Sequence, residues 1–228
     1  PVGKGKVYIE TYGCQMNVAD SELVASILNE AGFNITESAE NADIILLNTC
    51  AVRERAEERV IGRISQLNSL RAERPNLTLG VLGCMAQHLS ETLPERAPFV
   101  DLVMGPDSYR RLPQILAQTS NEALLDVRLD RSENYIGVDP VRREGTNAWV
   151  TIIRGCDKFC TFCIVPYVRG RERSISARDI LEQVERVAQE GFREVTLLGQ
   201  TVNSYREGDV DFADLLRQVA AIDGIERL

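Results

Sequence analysis

Three apolar, β-prone runs in the first part of the chain each end in a cysteine, and this repetition limits the fold more than any other feature. The runs are Val7-Tyr8-Ile9-Glu10-Thr11-Tyr12-Gly13-Cys14, Asp43-Ile44-Ile45-Leu46-Leu47-Asn48-Thr49-Cys50 and Leu79-Gly80-Val81-Leu82-Gly83-Cys84. Each reads as a strand with a thiol at its C-terminal end. Helical patterns lie between them: Leu23, Ile27, Leu28 and Ala31 share a face that stops at Gly32, and Ala56, Val60, Ile64 and Leu67 do the same before Pro75. The order β-α-β-α-β predicts a parallel sheet with right-handed crossovers, so all three strands point their C-terminal ends at one edge. Cysteines distant in sequence therefore converge where open α/β sheets place their ligands. A fourth run, Val100 to Gly105, ends without a cysteine and leads into a helix expected from Tyr109 to Ala117.

Three thiols at one edge have a bland reading as small core residues, since free cysteine packs as a hydrophobe. Zinc is a second alternative, but a structural zinc takes four ligands, and the only histidine, His88, falls on a polar helix beyond Cys84 and reads as exposed. Three thiolates suit an iron–sulfur cluster with one iron left open to an exogenous ligand. The other three cysteines form a tight set, Gly155-Cys156-Asp157-Lys158-Phe159-Cys160-Thr161-Phe162-Cys163, spaced C-x3-C-x2-C after the strand-like run Trp149 to Ile153. Such spacing lets a curled loop aim all its thiolates at one metal centre. A zinc knuckle lacking its fourth ligand is the alternative there.

Composition narrows the classes further. With 228 residues, 44% of them hydrophobic and 26% charged, the chain is an ordinary globular protein of one large or two modest domains. Six cysteines are too sparse for a disulfide scaffold, which favours thiols used as ligands. The 34 acidic residues exceed the 26 basic ones, for a net charge of −8, so any nucleic acid must be met by a local patch. The candidate patch is Arg169, Arg171, Arg173 and Arg178; a solvated charged loop is an equal reading. No apolar run of about 18 residues and no basic-then-apolar leader is found, so no membrane partner is expected and the expected location is cytoplasmic. Neither a Walker A nor a dinucleotide-binding glycine pattern is present.

Longer motifs surround both triads. They are Thr11-Tyr12-Gly13-Cys14-Gln15-Met16-Asn17, Asp20-Ser21-Glu22, Asn48-Thr49-Cys50-Ala51-Val52-Arg53, Gly83-Cys84-Met85-Ala86-Gln87, Pro166-Tyr167, Arg169-Gly170-Arg171-Glu172 and Leu198-Gly199-Gln200-Thr201-Val202-Asn203-Ser204-Tyr205. The tight triad resembles the loop of the radical S-adenosylmethionine (SAM) superfamily, and the whole set resembles the radical SAM methylthiotransferase family, in particular its tRNA-modifying type. The resemblance implies two [4Fe-4S] clusters. Cys14, Cys50 and Cys84 would hold an auxiliary one that carries the sulfur, and Cys156, Cys160 and Cys163 one that binds SAM. Phe162, Gly199, Gln200 and Thr201 would contact SAM, which serves both as methyl donor and as radical source. The implied reaction is methylthiolation of C2 of an N6-isopentenyladenosine beside the tRNA anticodon. Its implied partners are that tRNA, a one-electron reductant and a sulfur donor, and the protein is expected to be a monomer. The alternatives are the sister activity on an aspartate of a ribosomal protein and a non-catalytic iron–sulfur carrier. Asp20 and Ser21 are read as helix caps rather than as site residues.

The fold class expected is α/β: an N-terminal parallel α/β sheet domain over 1–118, a polar linker over 119–147, and the first part of a radical SAM partial (βα) barrel over 148–228. In the last part, Ser176-Ala177-Arg178-Asp179 is a capping-box pattern opening a helix whose Ile180, Leu181, Val184, Val187 and Ala188 share a face. A strand from Glu194 to Leu198, a helix from Phe212 to Ile222 and a stub at Ile225 to Leu228 follow. The family pattern has a six-unit barrel and a small RNA-binding β domain, so the chain is expected to be C-terminally truncated.

Overall fold

A computed structural model describes residues 4–51, 54–118, 123–142 and 145–228, without the side chains of 54–56. Val52 and Arg53 of the second cysteine motif, and the side chain of Ala56, lie outside the described residues. The chain divides into two compact units, Pro1–Asp130 and Arg131–Leu228.

The first unit holds β1 (Lys6–Thr11), α1 (Gln15–Glu30), β2 (Asn34–Thr36), β3 (Ile44–Thr49), α2 (Glu54–Asn68), β4 (Thr78–Gly83), α3 (Cys84–His88), α4 (Leu93–Arg96), β5 (Leu102–Met104), α5 (Leu112–Leu116) and β6 (Leu124–Asp126). The six strands form one sheet in the order β2-β1-β3-β4-β5-β6, every pair parallel. From β1 the chain steps outward to β2, then returns past β1 to β3 and continues the other way. The direction of strand addition reverses between β1 and β3. Strand β3 is buried on both faces, with Ile45, Leu46 and Leu47 wholly shielded, as its continuous apolar run requires. Each such side chain contributes about 1.5–3 kcal/mol by leaving water.

The expected parallel α/β architecture is present, with local differences. Asp20 and Ser21 are not caps: both lie inside α1 and are buried, because Gly13 (φ +134°) turns the chain sharply after β1 and the helix already starts at Gln15. The short strand β2 was not foreseen; three residues carry too little alternation to register. The helix expected over Tyr109–Ala117 is a 3₁₀ turn, Tyr109–Arg111, followed by α5 with Pro113 in its first turn. The span read as linker is not all linker. Within it, β6 extends the sheet beside β5, and the boundary between units falls at 130/131.

The second unit holds β7 (Asn147–Thr151), β8 (Ile153–Arg154), α6 (Val165–Val168), β9 (Arg173–Ser174), α7 (Ala177–Gln189), β10 (Glu194–Leu198), β11 (Arg206–Glu207), β12 (Val210–Asp211) and α8 (Phe212–Ala220). Strands β7 and β10 pair in parallel, and Glu194 also bridges to Arg227 where the terminal stub was expected. Helix α7 lays Ile180, Val184 and Val187 into a core shared with Val150, Ile152, Leu215 and Val219 of this unit. Its start is capped as expected: the Ser176 hydroxyl accepts from the Asp179 amide at 3.1 Å. Helix α8 stops two residues before the expected Ile222. Among the described residues no helix is long and apolar enough to cross a membrane.

Candidate metal centres

Strand register decides where the first three cysteines go. Thr11 lies opposite Asn48 across β1 and β3, and Thr49 lies opposite Gly83 across β3 and β4. One further residue along, Cys50 falls level with Gly13 and with Cys84. All three cysteine-bearing loops thus leave the same sheet edge, with Cys14 and Cys50 at the β1/β3 reversal, where open α/β folds bind ligands.

Two glycines make this closeness possible. A side-chain carbon on Gly13 would stand 2.6 Å from Cβ of Cys50, and one on Gly83 (φ +91°) would stand 2.4 Å from Oδ1 of Asn48 and 2.6 Å from the Thr49 carbonyl. Neither position has room for more than hydrogen, and both use backbone angles that favour glycine. Cys14 is exposed, Cys50 half-buried and Cys84 buried.

Behind Cys14 lies a set of buried amides and hydroxyls. The Cys14 thiol donates to Oδ1 of Asn17 at 3.4 Å, and Nδ2 of Asn17 donates to Oδ1 of Asn48 at 3.2 Å. Asn48 Nδ2 in turn donates to the Asn17 carbonyl at 2.8 Å and to the Ser21 hydroxyl at 2.9 Å. Ser21 and Thr11 hydroxyls meet at 2.7 Å, and the Tyr12 amide donates to the Asn48 carbonyl at 2.8 Å. Asn17 and Asn48 are completely buried. These residues occur in the motifs quoted above but were given no role. The available signal was the amide of Asn48 in an otherwise apolar central strand, since a buried polar group needs partners.

A charged cluster flanks the same edge. Arg63 of α2 grips Glu10 through Nε and Nη2, both at 3.0 Å, and the Tyr12 hydroxyl donates to Glu10 as well. Burial works against the Glu10 carboxylate, but the hydrogen bonds from Arg63 and Tyr12 outweigh it and hold Glu10 below the ordinary carboxylate range. Burial and the hydrogen bond to Glu10 push the Tyr12 phenol up to about 12, so it stays neutral.

The second triad is built locally. Strands β8 and β9 pair antiparallel, Ile153 with Ser174 and Arg154 with Arg173, and the segment they close carries all three cysteines. Gly155 (φ +76°) makes the entry: a side chain there would lie 2.1 Å from the Arg171 carbonyl. The Cys156 amide donates to the Gly170 carbonyl at 3.2 Å, and the Cys163 amide to the Cys160 carbonyl at 2.9 Å. Cys156 is buried, Cys163 half-buried and Cys160 exposed. Phe159, in a left-handed conformation (φ +45°), has the Arg171 guanidinium over its ring at 5.1 Å and Tyr167 at its edge. Phe162 stands 92% exposed.

The Gly199-Gln200-Thr201 turn leaves β10 beside this loop, because β7 and β10 are in parallel register up to Thr151 and Leu198. Gly199 packs so closely on Ile153 that a side-chain carbon would stand 2.0 Å from its Cγ2. Thr201 Oγ1 lies 3.4 Å from the Cys156 sulfur. Gln200 buries its Oε1 with no hydrogen-bond partner among the described residues. Phe162 is the member of the expected SAM set that the fold does not enclose.

The arginine patch does not exist as a free basic surface. Arg169 and Arg173 are buried, Arg171 pairs with Asp157 at 2.7 Å, and Arg178 pairs with Glu182 one turn along α7 at 2.8 Å. His88 is exposed at the end of α3, as read.

Among the described residues no three His, Cys, Asp or Glu side chains stand close enough to hold a metal ion, so the loops are gathered without their thiols closing on a point. The donor sets nevertheless fit iron–sulfur groups: six cysteines, in two sets of three, each with an exposed member.

Known proteins match both units. A model of the Uncharacterized protein family UPF0004 matches residues 6–105, and one of the Radical SAM superfamily matches residues 150–227. A protein of Chloroherpeton thalassium named tRNA-2-methylthio-N(6)-dimethylallyladenosine synthase is 49% identical over 96% of this chain and 49% of its own length. Proteins of the same name from Amoebophilus asiaticus and a Thermoanaerobacter species are 47% and 48% identical, over 95% and 99% of this chain and 48% and 50% of theirs. The chain therefore spans about half the length of the curated relatives it matches. In fold it is similar to the radical S-adenosylmethionine methyltransferase TsrM of Kitasatospora setae, in the structure with cobalamin and a [4Fe-4S] cluster bound. The TM-score is 0.61 at 11% identity, over 93% of this chain and 50% of that one. With both units matched in order, the chain carries a UPF0004 domain followed by a Radical SAM domain and is similar over nearly its whole length to proteins named as tRNA methylthiotransferases.

Proposed function

We propose that this chain contributes the two metal centres of a radical SAM tRNA methylthiotransferase acting on C2 of an N6-isopentenyladenosine. The observation that carries the reading is the placement of two three-thiol sets, each at the C-terminal edge of parallel strands and each one ligand short of a closed site. Cys14, Cys50 and Cys84 hold the auxiliary [4Fe-4S] cluster; Cys156, Cys160 and Cys163 hold the cluster that binds SAM. When bound, these groups supply the sulfur, the methyl group and the radical.

The protein's own part is binding and orientation. Gln200 offers a buried, unpartnered carbonyl oxygen as an acceptor for a donor group of SAM. Thr201 ties the turn that carries it to the Cys156 sulfur. The neutral Tyr12 phenol and the Glu10–Arg63 pair hold the β1 end in place beside Cys14. A one-electron reductant, a sulfur donor and the modified tRNA are the partners, and the cytoplasm is the compartment.

The test is nucleoside analysis of tRNA from cells lacking the protein, with and without a Cys50→Ala copy restored. The reading expects the methylthio group to vanish from isopentenyladenosine and to stay absent with the variant. Intact methylthio-isopentenyladenosine in the deletion would overturn it, and loss of a methylthio group from a ribosomal protein would assign the chain to the sister activity.

A further inference from the structure

We propose that the Thr201 hydroxyl is a hydrogen-bond donor to the Cys156 sulfur and raises the reduction potential of the cluster held by the second cysteine set. This gives Thr201 a part separate from the SAM contact expected of it. The proposal rests on the reading of Cys156, Cys160 and Cys163 as cluster ligands.

The argument starts from which atom can give a proton. Thr201 Oγ1 and the Cys156 sulfur lie 3.4 Å apart, and with the thiol protonated either atom can donate. A metal-bound cysteine is a thiolate, which only accepts, so ligation leaves the hydroxyl as the donor. The contact is therefore kept on ligation, and a hydrogen bond to a charged acceptor is the stronger kind. Among the described residues it is the one side-chain hydrogen bond to a sulfur of this set. A donor aimed at a cluster sulfur favours the reduced, more negative form, and so moves the potential upward. Cys156 is the buried member of its set, where the low dielectric makes one such bond count most.

The hydroxyl is held in place by ties that involve no thiol. Before it, Gly199 packs on Ile153, and the Ile152 amide donates to the Leu198 carbonyl at 2.9 Å. The Ser204 amide donates to the Thr201 carbonyl at 3.0 Å and closes the turn. After it, the phenol of the buried Tyr205 donates to the Ile175 carbonyl at 2.8 Å. The Ile175 amide returns to the Ile152 carbonyl at 2.9 Å, so both ends of the turn are anchored on the stretch that leads to Cys156. On the cysteine side, the Gly155 turn and the bond from the Cys156 amide to the Gly170 carbonyl fix the backbone that carries the sulfur. Partners behind a metal ligand tune the metal in this way.

The experiment uses the whole chain carrying Cys14→Ala, Cys50→Ala and Cys84→Ala, loaded anaerobically, so that only the second set can hold iron. Three variants are placed in this background: Thr201→Val, which removes the hydroxyl at nearly constant shape, Thr201→Ser, which keeps it, and Asn203→Ala, an exposed neighbour in the same turn. Iron is counted, and the midpoint potential is read by EPR at a series of poised potentials without SAM. SAM affinity is read from the change in the EPR spectrum as SAM is added. Thr201→Val should keep the parent's iron and shift the midpoint to a more negative potential, while Thr201→Ser and Asn203→Ala stay at the parent's value. If the valine methyl crowds the sulfur and iron is lost, Thr201→Ala, which leaves space there, is measured in its place; loss of iron from that variant as well would make the residue structural and overturn the proposal. So would a potential equal to the parent's without the hydroxyl, or an equal shift in Thr201→Ser or Asn203→Ala. Weaker SAM binding with an unmoved potential would also overturn it and leave Thr201 as a SAM contact. A parent background that holds no iron would instead overturn the reading of the cysteines.

Discussion

The two cysteine triads reach similar arrangements by opposite routes. In the first unit the cysteines are far apart in sequence and meet only because β1, β3 and β4 pair in one register. In the second they share one loop, closed by the two-residue ladder of β8 and β9. A site assembled by sheet register inherits the stability of the whole sheet. A site held in one loop needs only its entry turn and its closing ladder. The first should fail with the core around it, and the second should survive damage that does not reach it.

The sharpest way to break the comparison is to damage the central strand. Leu46 is wholly buried in β3, and Leu46→Ala should cost roughly 2–5 kcal/mol. Iron held by the first unit should be lost at denaturant concentrations where the second unit's share remains, as followed by absorbance during a urea titration. Equal loss from both would mean that the two sites do not depend on separate folds.

Next in size come the two glycines. Gly13→Ala drives a methyl against Cys50 and Gly155→Ala drives one against the Arg171 carbonyl, both at positive φ. Each should cost about 1–3 kcal/mol and release iron from its own triad alone. Metal analysis of the two variants, each in a background lacking the other triad, checks this.

The smallest effect is electrostatic. Glu10 has its carboxyl held below the ordinary carboxylate range, so its pairing with Arg63 stabilises the fold above that range and is lost as pH falls through the lowered value. With Arg63 partly exposed, the pair is worth about 1 kcal/mol or less. Urea melts at neutral pH should therefore separate Glu10→Gln from wild type by about that amount, with the difference fading as the pH falls below the ordinary carboxylate range.

What could be read from the sequence follows the same division. The C-x3-C-x2-C spacing needs no partner strand to be recognised, and the strand–cysteine repeats exposed the parallel sheet because β3 and β4 are long and apolar. The short strands β2 and β6 escaped, since three residues in a parallel edge carry no usable period. Ser21 reads as a cap in the sequence, whereas its hydroxyl is used across the fold, by Asn48 and Thr11, and tertiary partners leave no local trace. The arginines after the cysteine loop were legible as charge but not as burial: Arg169 and Arg173 turn inward while Arg171 and Arg178 pair on the surface.

The central claim is that the chain holds two independent three-thiolate centres. Iron and sulfide counting with Mössbauer spectroscopy, after anaerobic loading of the wild-type chain and of the two triple variants, tests it most directly. The account predicts about eight irons in the wild type and about four in each variant, as [4Fe-4S] clusters. Stoichiometric zinc in place of iron, or loss of all iron when either triad alone is replaced, would contradict it.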